Sequence, residues 1–178
     1  MEKFERLERN LVYEGSIINM YKDTIRVSNG NIVEWDFIGH KGAAAAIPVT
    51  DEGKIILVKQ WRNSLDRFTY EIPAGGLEGE DEPMIEAAAR ELEEETGYKS
   101  DDLEFLISLR TTVAFCNERI DVFVAKNLVK TKQNLDRDEE IEIREFSMDE
   151  LFTMIRSGEM QDSKTVSAIL AYNAFFVK

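Results

Sequence analysis

Glu91, Glu94 and Glu95 fall within five residues of one another, directly after Arg90. On a helix, residues three and four apart are neighbours, so these acids would share one face. Carboxylates held that close repel one another and favour protonation unless a cation sits among them. Arg90 can pair with Glu94 one turn on, which leaves Glu91 and Glu95 uncompensated. Hard divalent cations take such clusters of carboxylate oxygens as ligands. The spacing therefore points to a helix-borne Mg2+ or Mn2+ site, with Glu91 and Glu95 as primary ligands and Glu94 close behind.

The element that must carry these acids lies inside Gly76–Tyr98, GLEGEDEPMIEAAARELEEETGY. Pro83 suits a first helical turn, where its missing N–H costs nothing. Gly97 suits the far end as a left-handed cap. Ile85, Ala88, Ala89, Leu92 and Thr96 recur at helical steps and predict one buried stripe, with the acids off it.

Around this helix the chain reads mostly as strands. Val12-Tyr13 and Ile17-Ile18 are short strands about Gly15, and Thr24–Val27 and Ile32–Ile38 flank Ser28-Asn29-Gly30-Asn31, a hairpin signal. Trp35 and Phe37 alternate with Glu34 and Asp36, as in a strand with one buried face. Gly42–Val49 is a small-residue strand that another element can approach closely. Lys54–Gln60 is a buried strand. Phe68–Ile72, Leu103–Leu109, Ile120–Ala125 and Ile141–Phe146 follow, the last after the acidic stretch Asn134–Glu142. Met148–Arg156 and Ser163–Phe176 read as helices capped by Ser147 and Ser163. That order predicts an α/β fold, a mixed sheet with helices on its faces.

The 178 residues suit one main domain over 41–178 with a small antiparallel β extension over 1–40. An apolar fraction of 43% can build a core, and no apolar run has the length of a membrane span. The charged N-terminus, MEKFERLERN, does not read as a secretory signal. One cysteine, Cys116, fits a reducing, cytoplasmic setting. A net charge of −13 argues against nucleic acid or an anionic membrane as partner. It leaves an anionic small substrate open, because bound cations reverse the local sign of a carboxylate site. His40 has no metal-ligand spacing around it. Cys116 reads as a partly buried thiol. A bland acidic protein binding Ca2+ is a further reading, but no EF-hand spacing supports it.

The spacing Gly76, five residues, Glu82, seven residues, Arg90-Glu91-Leu92, one residue, Glu94-Glu95, one residue, Gly97 and a bulky apolar residue resembles the box of the Nudix hydrolase family. Tyr98 stands where that family usually has an aliphatic residue. The resemblance spans about Gly42 to Phe146. It implies the Nudix α/β/α sandwich, a divalent metal, and hydrolysis of a nucleoside diphosphate linked to another group. VYEGSIINMYKDTIRVSNG and KQWRNSLDRFTYEIPAGGLEGED resemble the ADP-ribose pyrophosphatase (ADP-sugar diphosphatase) group, which implies a homodimer whose N-terminal sheets contribute to the substrate site. Val113-Ala114 stand where that group often has a proline.

The resemblance implies site residues in turn. Glu91, Glu94, Glu95 and a backbone carbonyl near Gly75 would hold Mg2+, with Mn2+ as a substitute. Glu82 either ligates or orients the others through Arg90, and Arg90 either serves catalysis or only locks the loop–helix–loop. Glu139, ahead of Glu140 within Asp136–Glu140, would activate or orient the water. Arg62 would meet a phosphate or the terminal ribose. Trp61 or Phe37 would stack on adenine or pack in the core or at the dimer interface, and Glu71 would accept a base or ribose hydrogen bond. Glu118 resembles a site residue of the group. The rival readings are another nucleotide sugar, such as GDP-mannose, and a non-catalytic nucleotide-binding module of the same fold.

Overall fold

The computed structural model describes residues 3–79, 81–137 and 139–177. Two compact units divide the chain. One holds the residues up to Gly42 together with Arg110–Arg119, and the other holds Ala43–Leu109 and the residues from Ile120 onward.

In the first unit, β1 (Glu5–Glu14), β2 (Ile18–Arg26) and β3 (Ile32–His40) form an antiparallel sheet in that order. The expected turn at Asn29-Gly30 joins β2 to β3, with the Asn29 side chain accepting from the Asn31 amide. The strands run well beyond the short apolar stretches. Ile18 and Thr24 belong to one continuous strand, and β1 begins at Glu5. Cross-strand charge extends them. Arg9 forks onto Asp23 at 2.6 and 2.5 Å, and Glu5 and Asp36 pair with Arg26 and Lys22. The Arg9 guanidinium also lies 3.7 Å from the centre of the Phe37 ring. The buried face expected of β3 is not found, since Trp35 is 48% exposed. Leu11, Val12, Tyr13 and Ile17 are exposed as well, and Ile25 is the buried apolar side chain of β2. Residues 110–119 run along β3, where the Ile38 amide donates to the Phe115 carbonyl.

In the second unit, β4 (Ala43–Pro48) is central. It pairs in parallel with β10 (Arg119–Lys126) and antiparallel with β7 (Ala74–Gly76), and β9 (Asp102–Arg110) lies beyond β10. A second sheet has the order β12 (Glu142–Phe146), β5 (Ile55–Arg62), β6 (Arg67–Glu71). A short pair, β8 (Tyr98–Lys99) and β11 (Val129–Lys130), completes the strands. Alternation along β4 divides the core. Ala43, Ala45 and Ile47 face a cluster with Leu57, Leu151 and Ile169, which α2 (Met148–Ser157) and α3 (Ser163–Phe175) cover. Ala44 and Ala46 face α1 (Met84–Thr96), packing with Ala88 in one cluster and Leu92 in another. The layering is the expected α/β/α, and the alanines are what let α1 lie close to the strand.

The inner face of α1 is Ala87, Ala88, Leu92, Glu95 and Thr96. Fully burying Leu92 is worth about 1.5–3 kcal/mol. Ile85, placed on this stripe by the sequence pattern, is 43% exposed instead, and Ala87 takes its place. The face reaches solvent at the N-terminal turn, so periodicity alone overextends it. Pro83 is the N-cap residue itself, in an extended conformation. Gly97 caps the other end at φ 68°. A Cβ there would also press on the Gln133 amide nitrogen. Ser147 caps α2 in a reciprocal box with Glu150. At α3 the cap is Asp162, not Ser163, because its carboxylate takes both the amide and the hydroxyl of Thr165. Among the described residues no helix is long and apolar enough to cross a membrane.

Candidate active site

Packing α1 on β4 carries its acidic face to β7, the strand on the other side of β4 from β10. Ala74 N donates to Glu95 Oε2 at 3.0 Å. One residue on, the backbone of Gly75 lies against the Glu91 carboxylate so closely that a Cβ would overlap it. Only glycine permits that approach. Two main-chain positions of β7 and two carboxylates one helical turn apart thus converge.

Arg90 ties the remaining parts together. It donates to Glu82 Oε1 at 3.1 Å, Glu91 Oε1 at 2.7 Å, Glu94 Oε2 at 3.1 Å and the Gly76 carbonyl at 3.0 Å. Glu82 in turn accepts from the Glu78 amide. The guanidinium therefore fastens the loop to the helix while also serving as the acids' counter-ion. Burial alone would lower its pKa, but Glu82, Glu91 and Glu94 outweigh burial and raise it. Hydrogen bonding from Arg90 holds Glu82 below the ordinary carboxylate range.

One guanidinium does not balance the site. Burial is the main force raising Glu91, with Glu94 and Glu139 adding to it against Arg90. Burial likewise pushes Glu95 up to about 8, reinforced by Glu91 and Glu139 and opposed by the Ala74 amide and by Lys164. Glu95 is only 3% exposed. Carboxylates this reluctant to ionise mark a place where positive charge would be taken up. All the available donors are hard oxygens, the set that Mg2+ and Mn2+ prefer. Among the described residues no three acidic, imidazole or thiol side chains already form a ready cation cage. Arg90 draws Glu91 and Glu94 to itself and Ala74 draws Glu95, so a cation would compete with those bonds. The residues present fit a divalent ion on both counts, donor chemistry and charge deficit.

A cavity of about 300 Å3 is lined by Gly75, Arg90, Glu91, Glu94, Asp136 and Glu139 among others, while Glu95 and Glu82 are not in its lining. Glu139, the favoured water-activating residue, thus joins the acids, and its carboxylate accepts from the Asp136 amide at 3.0 Å. Glu140 is not in that lining. Asp138, within the same candidate stretch, lies outside the described residues. A larger open cleft of about 720 Å3 lies on the N-terminal sheet, but its Asp23 is already neutralised by Arg9. Chemistry, not size, selects the smaller cavity.

Arg62 and Glu71 come together beside this site. Arg62 forks onto Glu71 at 2.7 and 2.6 Å, Thr69 Oγ1 donates to the same carboxylate, and so does Lys164 Nζ. Burial would raise Glu71, but the Arg62 hydrogen bonds, then Lys164 and Thr69, bring it down to about 2. Both Glu71 oxygens are taken up by these four hydrogen bonds. Trp61 is 47% exposed and meets Phe68 edge-on at 5.2 Å, so it is not a core residue. Glu118 lies in the first unit, where it accepts from Thr111 Oγ1 and stands 3.6 Å from His40 Nε2. Phe37, the alternative stacking residue, is taken by Arg9. Cys116 is half-buried, as expected.

Asp162, Lys164 and Thr165 went unremarked in the sequence reading as neighbours of the site. Lys164 and Thr165 reach Glu71 and Ile72, 93 residues away, and no local pattern announces such a contact, whereas Asp162 bonds locally to both of them.

The sequence model of the NUDIX domain family matches residues 39–168. The chain is 39% identical over 165 residues to the ADP-ribose pyrophosphatase of Bacillus subtilis (strain 168), covering 92% of this chain and 89% of that protein. It is 40% identical over 161 residues to the methanol dehydrogenase activator of Bacillus methanolicus, covering 89% and 86% respectively. The crystal structure of an ADP compounds hydrolase aligns with a TM-score of 0.87 at 19% identity, over 98% of this chain and 95% of that one. At that identity the likeness is one of fold.

Proposed function

Taking as premise that this chain belongs to the NUDIX domain family, we propose that it hydrolyses the pyrophosphate bond of ADP-ribose or a related ADP-sugar to AMP and a sugar phosphate. The observation that carries the reading is the convergence of Glu91 and Glu95 on the backbone of Ala74 and Gly75, with Glu91, Gly75 and Glu139 lining one cavity. The similarity to an ADP-ribose pyrophosphatase supports the substrate class.

Glu91, Glu94, Glu95 and the Gly75 carbonyl would hold Mg2+, with Mn2+ as a substitute. When bound, the ion supplies charge neutralisation on the phosphate oxygens and acidifies water. Glu139 accepts the proton of the attacking water as its oxygen bonds to phosphorus. The bridging P–O bond breaks, and its electron pair leaves on the departing phosphate. Arg90 orients Glu91 and Glu94 and keeps the loop closed on the helix. Arg62 directs a guanidinium to a phosphate or the terminal ribose. Trp61 offers an exposed ring to adenine, and Glu118 a carboxylate to the substrate.

A homodimer is part of the proposal, supported by the uncovered apolar side chains of the β1–β3 sheet. A cytoplasmic setting is supported by the lone Cys116. Turnover of ADP-ribose with Mg2+ by the wild type and by Glu95→Gln tests the reading. The variant should be slower by on the order of a hundred- to a thousandfold, and equal rates would contradict the ligand assignment. A panel with GDP-mannose separates the rival nucleotide sugar.

A further inference from the structure

Glu71, Ile72, Pro73 and Ala74 lead from β6 into the Gly75 backbone, and three different elements hold them. The Ile72 amide donates to Thr165 Oγ1 of α3 at 3.0 Å. The Pro73 carbonyl accepts from the Ala46 amide of β4 at 3.1 Å. The Ala74 amide donates to Glu95 of α1. Thr165 is wholly buried, and its hydroxyl is used twice, since it also donates to Asp162 Oδ2 at 2.6 Å.

The same turn of α3 governs Arg62. Glu71 accepts four hydrogen bonds, two of them from Nε and Nη2 of Arg62. That leaves the Nη1 edge of the guanidinium for another partner. Lys164 Nζ supplies a second positive charge to Glu71 and also meets Asp162 at 3.0 Å. The Lys164 side chain is 10% exposed and that of Arg62 is 40% exposed. Of the two cations, then, the lysine is the buried counter-charge and the arginine is the one that faces outward. Two acids and two bases balance, so Arg62 can meet an anion without leaving Glu71 buried and unneutralised.

We infer that the first turn of α3, Asp162–Thr165, is the positioning element of the site. Lys164 aims the Arg62 guanidinium through Glu71, and Thr165 fixes the strand that presents Gly75. The inference rests on the proposed roles of Arg62 toward substrate and of Gly75 toward the cation. Neither Lys164 nor Thr165 touches the reacting atoms.

Two measurements test it. In the first, Mn2+ is titrated calorimetrically into the metal-free protein without substrate. Thr165→Val should weaken binding about tenfold, whereas Thr165→Ser, which keeps the hydroxyl, should retain it. In the second, Lys164→Met is assayed on ADP-ribose, alone and combined with Arg62→Ala, with Lys164→Gln as the alternative should the methionine variant not fold. Lys164→Met should raise KM about tenfold with little change in kcat, and should add nothing once Arg62 is gone. Strict additivity with Arg62→Ala overturns the Lys164 assignment, and equal weakening by valine and serine overturns that of Thr165. If Arg62→Ala leaves KM unchanged, the reading of Arg62 fails and the Lys164 half falls with it. The Mn2+ titration still decides the Thr165 half, because it needs no substrate.

Discussion

Glu71 and Glu95 are each 3% exposed, and they lie on either side of the same short strand entrance, yet their chemistry is opposite. Glu71 is brought down to about 2 and Glu95 is pushed up to about 8. Burial acts on both in the same direction, so partners make the difference. Around Glu71 stand Arg62, Lys164 and Asp162, a balanced set. Around Glu95 stand Glu91 and Glu139, against which the Ala74 amide and a more distant Lys164 do not prevail, while the nearby Arg90 is already shared among Glu82, Glu91 and Glu94. The balanced cluster is built to hold its shape. The unbalanced one is built to take up a cation.

Substitutions can break this contrast, the largest expected effect being the loss of turnover in Glu95→Gln. The same change should leave the metal-free fold at least as stable, since it removes a carboxylate that resists ionisation. Glu71→Ala should do the reverse at the level of the fold. It strands the buried Lys164 ammonium and should cost about 3–5 kcal/mol in urea unfolding.

The pH dependence separates the clusters by sign. Glu71 is depressed on folding, so its contribution is present above about pH 4.5 and lost as pH falls towards about 2. The stability gap between wild type and Glu71→Gln should close over that range. Glu95 is raised on folding, so stability is fully present below about pH 4.5 and declines as pH rises towards about 8. Denaturation of metal-free protein across that range should show the decline in wild type and a flatter profile in Glu95→Gln. Arg90→Lys should be milder, about tenfold in kcat, because an ammonium cannot reproduce the fork onto Glu82, Glu91, Glu94 and Gly76. The smallest effect expected is a rise of a few fold, about three, in KM for Trp61→Ala, read from initial rates on ADP-ribose.

The acids of α1 were legible from spacing because one helix carries them, but Glu95, expected off the buried stripe, lies on it at 3% exposed. Gly97 was legible as a cap for the same local reason. Ile85 was misplaced because a periodic pattern does not say where the covering strand stops. The length of β1 and β2 was hidden because ion pairs across the ladder, not apolar alternation, sustain them. Ser163 was read as the cap of α3 on residue type alone. Asp162 takes the cap because its carboxylate accepts from both the amide and the hydroxyl of Thr165. The bond of Glu71 to Lys164 was hidden because the two lie 93 residues apart in the chain.

Calorimetric titration of Mn2+ into the metal-free wild type, Glu95→Gln and Glu71→Gln tests most directly the claim that charge imbalance marks the cation site. Binding by wild type and Glu71→Gln, with loss in Glu95→Gln, is the expected result. Equal affinity in all three proteins, or loss confined to Glu71→Gln, would contradict it.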